Sequence, residues 1–206
     1  TNMKYLKIFE DFNNEFPDVF NGTLRRGVKI DKDEYIDNPK SRKISSGNSD
    51  EEHYVEFLKN YSKLGIPDPT KSIHMYFRLI SSNDWYGNQY NIIPEKDAVF
   101  GFCKHIDCGN GTLGNTYFGV DKITKEYKIK VTIKDIDSYD DYDNYFTDYY
   151  EDKNKYLEEI TEYQKKLIDL DLVGILTYDE LIKMSKEEGE TLQVWTESPC
   201  LHKKVI

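Results

Sequence analysis

The chain of 206 residues has little cysteine and no long hydrophobic segment. Its three cysteines, Cys103, Cys108 and Cys200, are too few to predict a disulfide framework, and such sparse use is typical of a reducing compartment. No apolar run approaches the ~18 to 20 residues that a membrane-spanning helix needs. The first residues are charged and amphipathic, unlike a secretory signal. We therefore expect a soluble protein of the cytoplasm without a membrane partner.

Positive charge is scarce as well. The chain has 28 Lys and Arg residues against 38 Asp and Glu residues, and its net charge is −10. Phosphate backbones repel such a chain, which argues against non-specific nucleic-acid binding but permits a local cationic pocket. With 38% hydrophobic residues, 17 tyrosines and 10 phenylalanines, the chain can bury a substantial core. The sequence contains no repeat and no linker, so we predict a single domain over residues 1–206.

The spacing of apolar residues predicts three longer helices and a shorter one. The longer helices cover residues 3–16, about 50–64 and about 155–170, and Gly65 is expected to end the second. The shorter helix begins at Tyr178, because Thr177 and Glu180 have the spacing of a capping box.

Strand-like runs fill the middle and the end of the chain. They cover residues 22–30, 72–80, 89–93, 98–103 and 126–136, although the short apolar run 72–80 is also compatible with a helix. The C-terminal segment is predicted as a strand interrupted at Pro199. The polar stretch 31–50 is predicted to be a loop. This pattern indicates an α+β fold with a mixed, mostly antiparallel split sheet flanked by helices.

Residues 137–152 form an acidic, tyrosine-rich segment, which we expect to be a loop. Dense carboxylates among aromatic rings can imitate a DNA backbone or dock a basic partner. The same composition also suits a solvated loop whose charge keeps it from collapsing, and this is the more common role of a charge run.

Cysteine and histidine recur together at two places. Cys103, His105 and Cys108 have the spacing C-x-H-x₂-C, and Cys200 and His202 the spacing C-x-H. Together they could supply zinc ligands, and Cys200 with His202 could form a nucleophile and its base. The spacing matches no common zinc ribbon and no nearby group orients the histidine, so we interpret the cysteines as small buried hydrophobic residues and predict no metal site.

The run "TLRRGVKI" at residues 23–30 places two arginines inside a strand. A buried arginine needs an anionic partner, because burying it unpaired costs several kcal/mol. Successive residues of a strand face opposite ways, so Arg25 and Arg26 cannot share one pocket. Gly27 permits close approach of a ligand or another backbone. The partner of Arg26 is either the phosphate of a ligand or a neighbouring carboxylate.

Two further features suggest a ligand site. A strand ends in "ISSN", which contains Ser81 and Ser82. The aromatic run "DWYGNQY" follows, and it offers Trp85, Tyr86 and Tyr90 as surfaces on which a planar ring could stack. Near the end of the chain, Glu188 and Glu190 stand two residues apart at the start of a predicted strand, so we expect them to share a face.

An Arg-Gly strand, a strand that ends in serine, and a late Glu-x-Glu resemble the arginine–serine–glutamate order of the mono-ADP-ribosyltransferase superfamily. The segment "WYGNQYNIIPEKDAVFGF" and the opening "MKYLKIFEDFN" are also similar to small proteins encoded by tailed phages. The resemblance implies an ADP-ribosyltransferase-like fold and NAD as the substrate.

The same resemblance implies roles for individual residues. Arg26 would hold a phosphate or ribose of NAD beside Gly27, and Ser81 would support the nicotinamide ribose. Tyr86 would stack on the nicotinamide or adenine ring. Glu190 would stabilise the oxocarbenium-like transition state, and Glu188 would orient or deprotonate the acceptor.

The sequence therefore leads to a hypothesis with alternatives. The first is a phage-encoded NAD-dependent ADP-ribosyltransferase that modifies a host or defence component, with a protein or nucleic acid as acceptor. The others are a non-enzymatic phage interaction protein, such as an anti-defence inhibitor or ligand sponge that uses its acidic surface, and a virion-associated structural protein. Each would act in the host cytoplasm or be packaged in the virion.

Overall fold

The computed structural model describes residues 24–39, 52–77, 87–104, 153–185 and 192–205. Several predictions fall outside these residues. They include the N-terminal helix 3–16, the strand 126–136 and the acidic tyrosine-rich loop 137–152.

The described residues form eight strands, three α-helices and a 3₁₀ turn at Pro69–Lys71. The helices are α1 (Glu52–Lys63), α2 (Lys153–Asp169) and α3 (Tyr178–Ser185). The strands are β1 (Leu24–Val28), β2 (Glu34–Asp37), β3 (Ile73–Phe77), β4 (Asn88–Pro94), β5 (Val99–Cys103), β6 (Val173–Thr177), β7 (Leu192–Thr196) and β8 (Cys200–Lys204).

All eight described strands join one sheet in the order β2-β8-β4-β1-β3-β7-β5-β6, and each neighbouring pair is antiparallel. The prediction of an α+β fold with a mostly antiparallel sheet is confirmed. The sheet that these strands form is continuous rather than split. Local signals at the helix ends are also confirmed: Gly65 follows α1 with a φ of 83°, and Glu180 accepts hydrogen bonds from the backbone N and the hydroxyl of Thr177.

The prediction of an uninterrupted loop over 31–50 is wrong, because β2 lies within it. The run "EYID" is only four residues long and carries no strong apolar alternation, so it has little strand signal of its own. It becomes a strand because it pairs with β8 over its whole length. Strand β6, which follows α2 closely, was likewise not recognised in the sequence.

The register of the strands separates two faces of the sheet. Directly paired residues share a face and alternate residues along a strand change face. We call these the Arg26 face and the Arg25 face. The Arg26 face holds most of the apolar core, and its buried side chains include Leu24, Met75, Phe77, Ile92, Phe100, Phe102 and Val194. Tyr178 and Leu181 of α3 pack into the same core.

The Arg25 face meets the chain that follows α1. Trp195 of β7 is fully buried and donates through Nε1 to the carbonyl oxygen of Pro67 at 2.8 Å, and Nε2 of His74 lies 2.7 Å from the carbonyl oxygen of Pro69. The indole of Trp195 lies directly over Gly101 of β5, where a Cβ would meet its ring at 2.2 Å. The strand can hold this indole only because position 101 has no side chain.

Helices α1 and α2 contact each other through a buried polar pair. Asn60 is 2% exposed, and its Nδ2 donates to Oε1 of Gln164 at 2.8 Å and to Oγ1 of Thr161 at 2.9 Å. Tyr61 follows Asn60 in the sequence and Tyr163 precedes Gln164, and both tyrosines are fully buried. Burial raises the pKa of each phenol.

The interpretation of Cys103 as a small buried hydrophobic residue is corrected. Cys103 is disulfide-bonded, whereas Cys200 is free and buried. Sparse cysteine argues against a framework of several disulfides, but it does not exclude a single one. Within the described residues, no helix has both the length and the hydrophobicity required to cross a membrane.

Candidate functional site

The two arginines of β1 lie on opposite faces of the sheet. Arg26 is paired in register with Tyr90, whereas Arg25 stands between Asn91 and Tyr76. The alternation expected from the sequence is therefore present, and only Arg26 shares a face with the main core.

Arg26 has a carboxylate partner. Its Nη1 donates to Oδ2 of Asp37 at 3.2 Å, and the two side chains are 19% and 15% exposed. Asp37 lies at the end of β2, the outermost of the described strands on its side of the sheet, and β4 and β8 stand between β2 and β1. The ion pair thus ties β1 to β2 across two other strands.

Asp37 also lies near a buried histidine. Nε2 of His202 is 4.0 Å from Oδ2 of Asp37, and its Nδ1 is 3.3 Å from the carbonyl oxygen of Cys200. The imidazole stacks on Tyr35, with ring centroids 4.5 Å apart and an angle of 17° between the planes. Asp37 is therefore placed between a guanidinium and an imidazole.

Tyr90 completes this group of side chains. Its ring meets the edge of Tyr35 at 5.3 Å and that of His202 at 6.0 Å. The backbone N of Lys32 donates to its hydroxyl at 3.1 Å, and the hydroxyl lies 2.9 Å and 2.8 Å from the carbonyl oxygens of Ile30 and Lys32. We call Arg26, Asp37, His202, Tyr35 and Tyr90 the arginine cluster. It is held by side chains from four strands and by the turn between β1 and β2.

Gly27 belongs to the other face, beside Gln89 of β4. A glycine backbone can be approached from either side, so its predicted role beside a ligand stays a prediction.

The Arg25 face carries a second group of polar side chains. One row of paired residues crosses all eight strands, and its central members are Asn91, Arg25, Tyr76 and Gln193. Gln193 is 3% exposed, and its Nε2 lies 3.4 Å from Nδ1 of His74. Oδ1 of Asn91 and Oε1 of Gln193 are buried without a hydrogen-bond partner among the described residues. Polar groups thus occupy the middle of this face.

The other predicted site residues, Ser81, Tyr86, Glu188 and Glu190, lie outside the described residues. The structure does describe the strand residues that stand nearest to them in the sequence. Leu24, Phe77 and Leu192 stand side by side on β1, β3 and β7. Ser81 follows Phe77 by four residues and Glu190 precedes Leu192 by two, so the two motifs attach to the same end of adjacent strands.

Cys200 and His202, which the sequence suggested as a nucleophile and its base, lie two residues apart on β8 and share the Arg26 face. Both side chains are fully buried. Sγ of Cys200 donates to the carbonyl oxygen of Ser198 at 3.6 Å. In the part of the chain that the structure describes, no three or more His, Cys, Asp or Glu side chains form a group that could hold a metal ion.

Sequence reasoning did not place Asp37, Tyr35 or Tyr90 beside Arg26, although Tyr90 was among the rings expected to stack on a ligand. A weak signal was present, since a carboxylate in the short run "EYID" needs a cation once that run is buried beside a strand. The stack of Tyr35 on His202 depends on the pairing of β2 with β8, from opposite ends of the chain, and nothing local predicts it.

Comparison with protein-family models, curated proteins and solved structures found no match to this chain.

Proposed function

We propose that the chain is an NAD-dependent ADP-ribosyltransferase of phage origin, with an ADP-ribosyltransferase-like fold, that modifies a host or defence component. The order of three strands carries the proposal. β1 bears Arg26, β3 leads to Ser81 and β7 follows Glu190, and these strands are consecutive neighbours in the sheet. Motifs that are far apart in the sequence start from one region of the sheet, as a shared substrate site requires.

The course of the chain adds support. Phe77 stands beside Leu24 at the start of β1, and a Cβ on Gly87, whose φ is 93°, would lie 2.4 Å from the carbonyl oxygen of Val28 at the end of β1. The nine residues 78–86 therefore connect the two ends of β1. Ser81 and Tyr86 belong to this connection, which tethers both of them to the strand that bears the arginines.

The proposed reaction breaks the bond between C1′ of the nicotinamide ribose and the nicotinamide nitrogen. Nicotinamide leaves with the electron pair of that bond, and Glu190 stabilises the positive charge that develops on the ribose. A nucleophile of the acceptor then bonds to C1′, and Glu188 accepts its proton. Arg26 binds a phosphate through its planar set of donors, Ser81 supports the ribose and Tyr86 stacks on a base.

The release of nicotinamide from NAD by purified protein, with and without host lysate, tests this proposal. Glu190→Gln is expected to lower the release rate by at least about a hundredfold, the scale of losing one group that stabilises transition-state charge. Glu187→Gln, which removes the same charge three residues earlier, serves as the matched control and should retain activity. The melting temperatures of both variants should stay close to that of the parent protein.

A protein that neither binds nor consumes NAD with lysate present would contradict the proposal. The second candidate, a non-enzymatic interaction protein, would then stand. One observation favours it: Asp37 gives Arg26 an anionic partner without any ligand. It predicts that replacing Asp140, Asp141 and Asp143 by Asn abolishes capture of the host partner, while Glu190→Gln has no effect.

A further inference from the structure

The ion pair between Arg26 and Asp37 differs from an ordinary surface pair. Both side chains are mostly buried, at 19% and 15% exposure, and the partners come from strands that are three steps apart in the sheet. Exposed pairs usually contribute little, because holding two long side chains in one geometry costs conformational entropy. Here the carboxylate belongs to a short side chain at a fixed strand position, so the conformational entropy lost in forming the pair is mainly that of Arg26.

Asp37 is itself held by packed neighbours. His202, which is fully buried, lies beside its Oδ2, and this imidazole is fixed by the stack on Tyr35 and by the ring of Tyr90. The hydroxyl of Tyr90 is in turn fixed by hydrogen bonds with the backbone of Ile30 and Lys32. Such a supported shell is what keeps a ligand-binding side chain within a fraction of an ångström of its working position.

We propose that Asp37 is a positioning residue, which holds the guanidinium of Arg26 in the orientation that binds a phosphate of NAD. The inference rests on the proposed function. A guanidinium carries five N–H donors in a rigid plane, so Nη1 of Arg26 can donate to Asp37 while a phosphate is bound through other donors of the same plane. Asp37 touches no substrate and acts only through Arg26. Without Asp37, the flexible side chain must be ordered at the moment of binding.

The test measures NAD affinity by calorimetry, together with KM and kcat for nicotinamide release. Asp37→Ala is expected to raise Kd and KM about tenfold, the scale of one charge-assisted hydrogen bond, and to leave kcat within about twofold. Asp37→Glu should restore part of the affinity. A purely structural role would instead lower kcat and the folded fraction without changing KM selectively.

Asp31→Ala is the matched control. Asp31 lies in the turn before β2 and pairs with Lys204, and its side chain is 75% exposed. Its removal changes the net charge by the same amount, so a general electrostatic effect on the anionic substrate appears equally in both variants. If Asp37→Ala proves insoluble, Asp37→Asn, which keeps the volume and one acceptor, should raise KM by about threefold.

The outcomes separate the two proposals. If the parent protein binds NAD and Asp37→Ala binds it as tightly as Asp31→Ala or more tightly, Asp37 only competes for Arg26 and the inference is overturned. If the parent protein does not bind NAD, the proposed function and the inference both fail. Weaker binding in Asp37→Ala with normal binding in Asp31→Ala supports both.

Discussion

In the half of the sheet formed by β3, β7, β5 and β6, aromatic rings lie directly against glycines. Trp195 covers Gly101, and Phe102 packs against Gly174. In the other half, formed by β2, β8, β4 and β1, an arginine, an aspartate and a histidine are interleaved with two tyrosines. We call these the aromatic half and the charged half. The aromatic half is stabilised by close packing. In the charged half, burial of charged groups costs desolvation energy, but their ion pairs and ring contacts hold the polar groups in fixed positions.

The largest effect is expected in the aromatic half. Gly101→Ala places a methyl group 2.2 Å from the buried indole of Trp195, which is held by its hydrogen bond to Pro67. We expect the free energy of unfolding to fall by about 3 kcal/mol, since overpacking a well-packed core typically costs 1–3 kcal/mol. Chemical denaturation measures this loss.

Gly174→Ala provides the graded control for that prediction. Its Cβ would lie 2.8 Å from Cε1 of the Phe102 ring, a milder overlap that a small ring movement can relieve. A loss of about 1 kcal/mol is expected. Equal losses for the two variants would show that the indole of Trp195 is not the constraint.

A smaller effect is expected in the charged half, and its size depends on which residue occupies position 26. Asp37→Leu leaves the mostly buried guanidinium of Arg26 without this carboxylate and should cost about 1–3 kcal/mol. Combining it with Arg26→Met should recover most of the loss, because an apolar pair avoids the desolvation of both charges. Denaturation of the parent, both single variants and the double variant gives the coupling energy. Additive losses would contradict a direct interaction.

The smallest effect at neutral pH is expected in the helices. The hydroxyl of Tyr163 is buried and has no hydrogen-bond partner among the described residues, so Tyr163→Phe should change the unfolding free energy by less than about 1 kcal/mol. At alkaline pH the unfolding free energy of Tyr163→Phe should diverge from that of the parent protein. Burial raises the pKa of Tyr163 and of Tyr61 above the value near 10 of an unfolded chain.

The sign of this pH effect follows from linkage. Above about pH 10 the unfolded chain releases phenolic protons that the folded protein retains, so stability falls as pH rises. Tyr163→Phe should lessen this fall, and the double variant with Tyr61→Phe should lessen it further. Urea denaturation between pH 8 and pH 11 measures the slopes. Parallel slopes for all the proteins would contradict burial as the cause.

Local signals predicted the elements better than their arrangement. The capping residues Thr177 and Glu180 and the glycine after α1 gave helix ends that the structure confirms, because their hydrogen bonds form within a few residues. The short strand β2 was missed, because its stability comes from pairing with β8. Alternation within β1 separated Arg25 from Arg26, yet the partner of Arg26 depended on a strand order that no local pattern contains.

The strand order also determines how the sheet can form during synthesis. Leu24 of β1 pairs with Phe77, and Phe77 pairs with Leu192. Among the described strands, β2 pairs with β8 alone. No pair among the described strands is a hairpin of adjacent segments. Long-range pairing is slow, because loop closure must precede the contacts that stabilise it. The sheet that the described strands form therefore stays incomplete until β7 and β8 have been synthesised, and unpaired strand edges are what make such intermediates prone to aggregate.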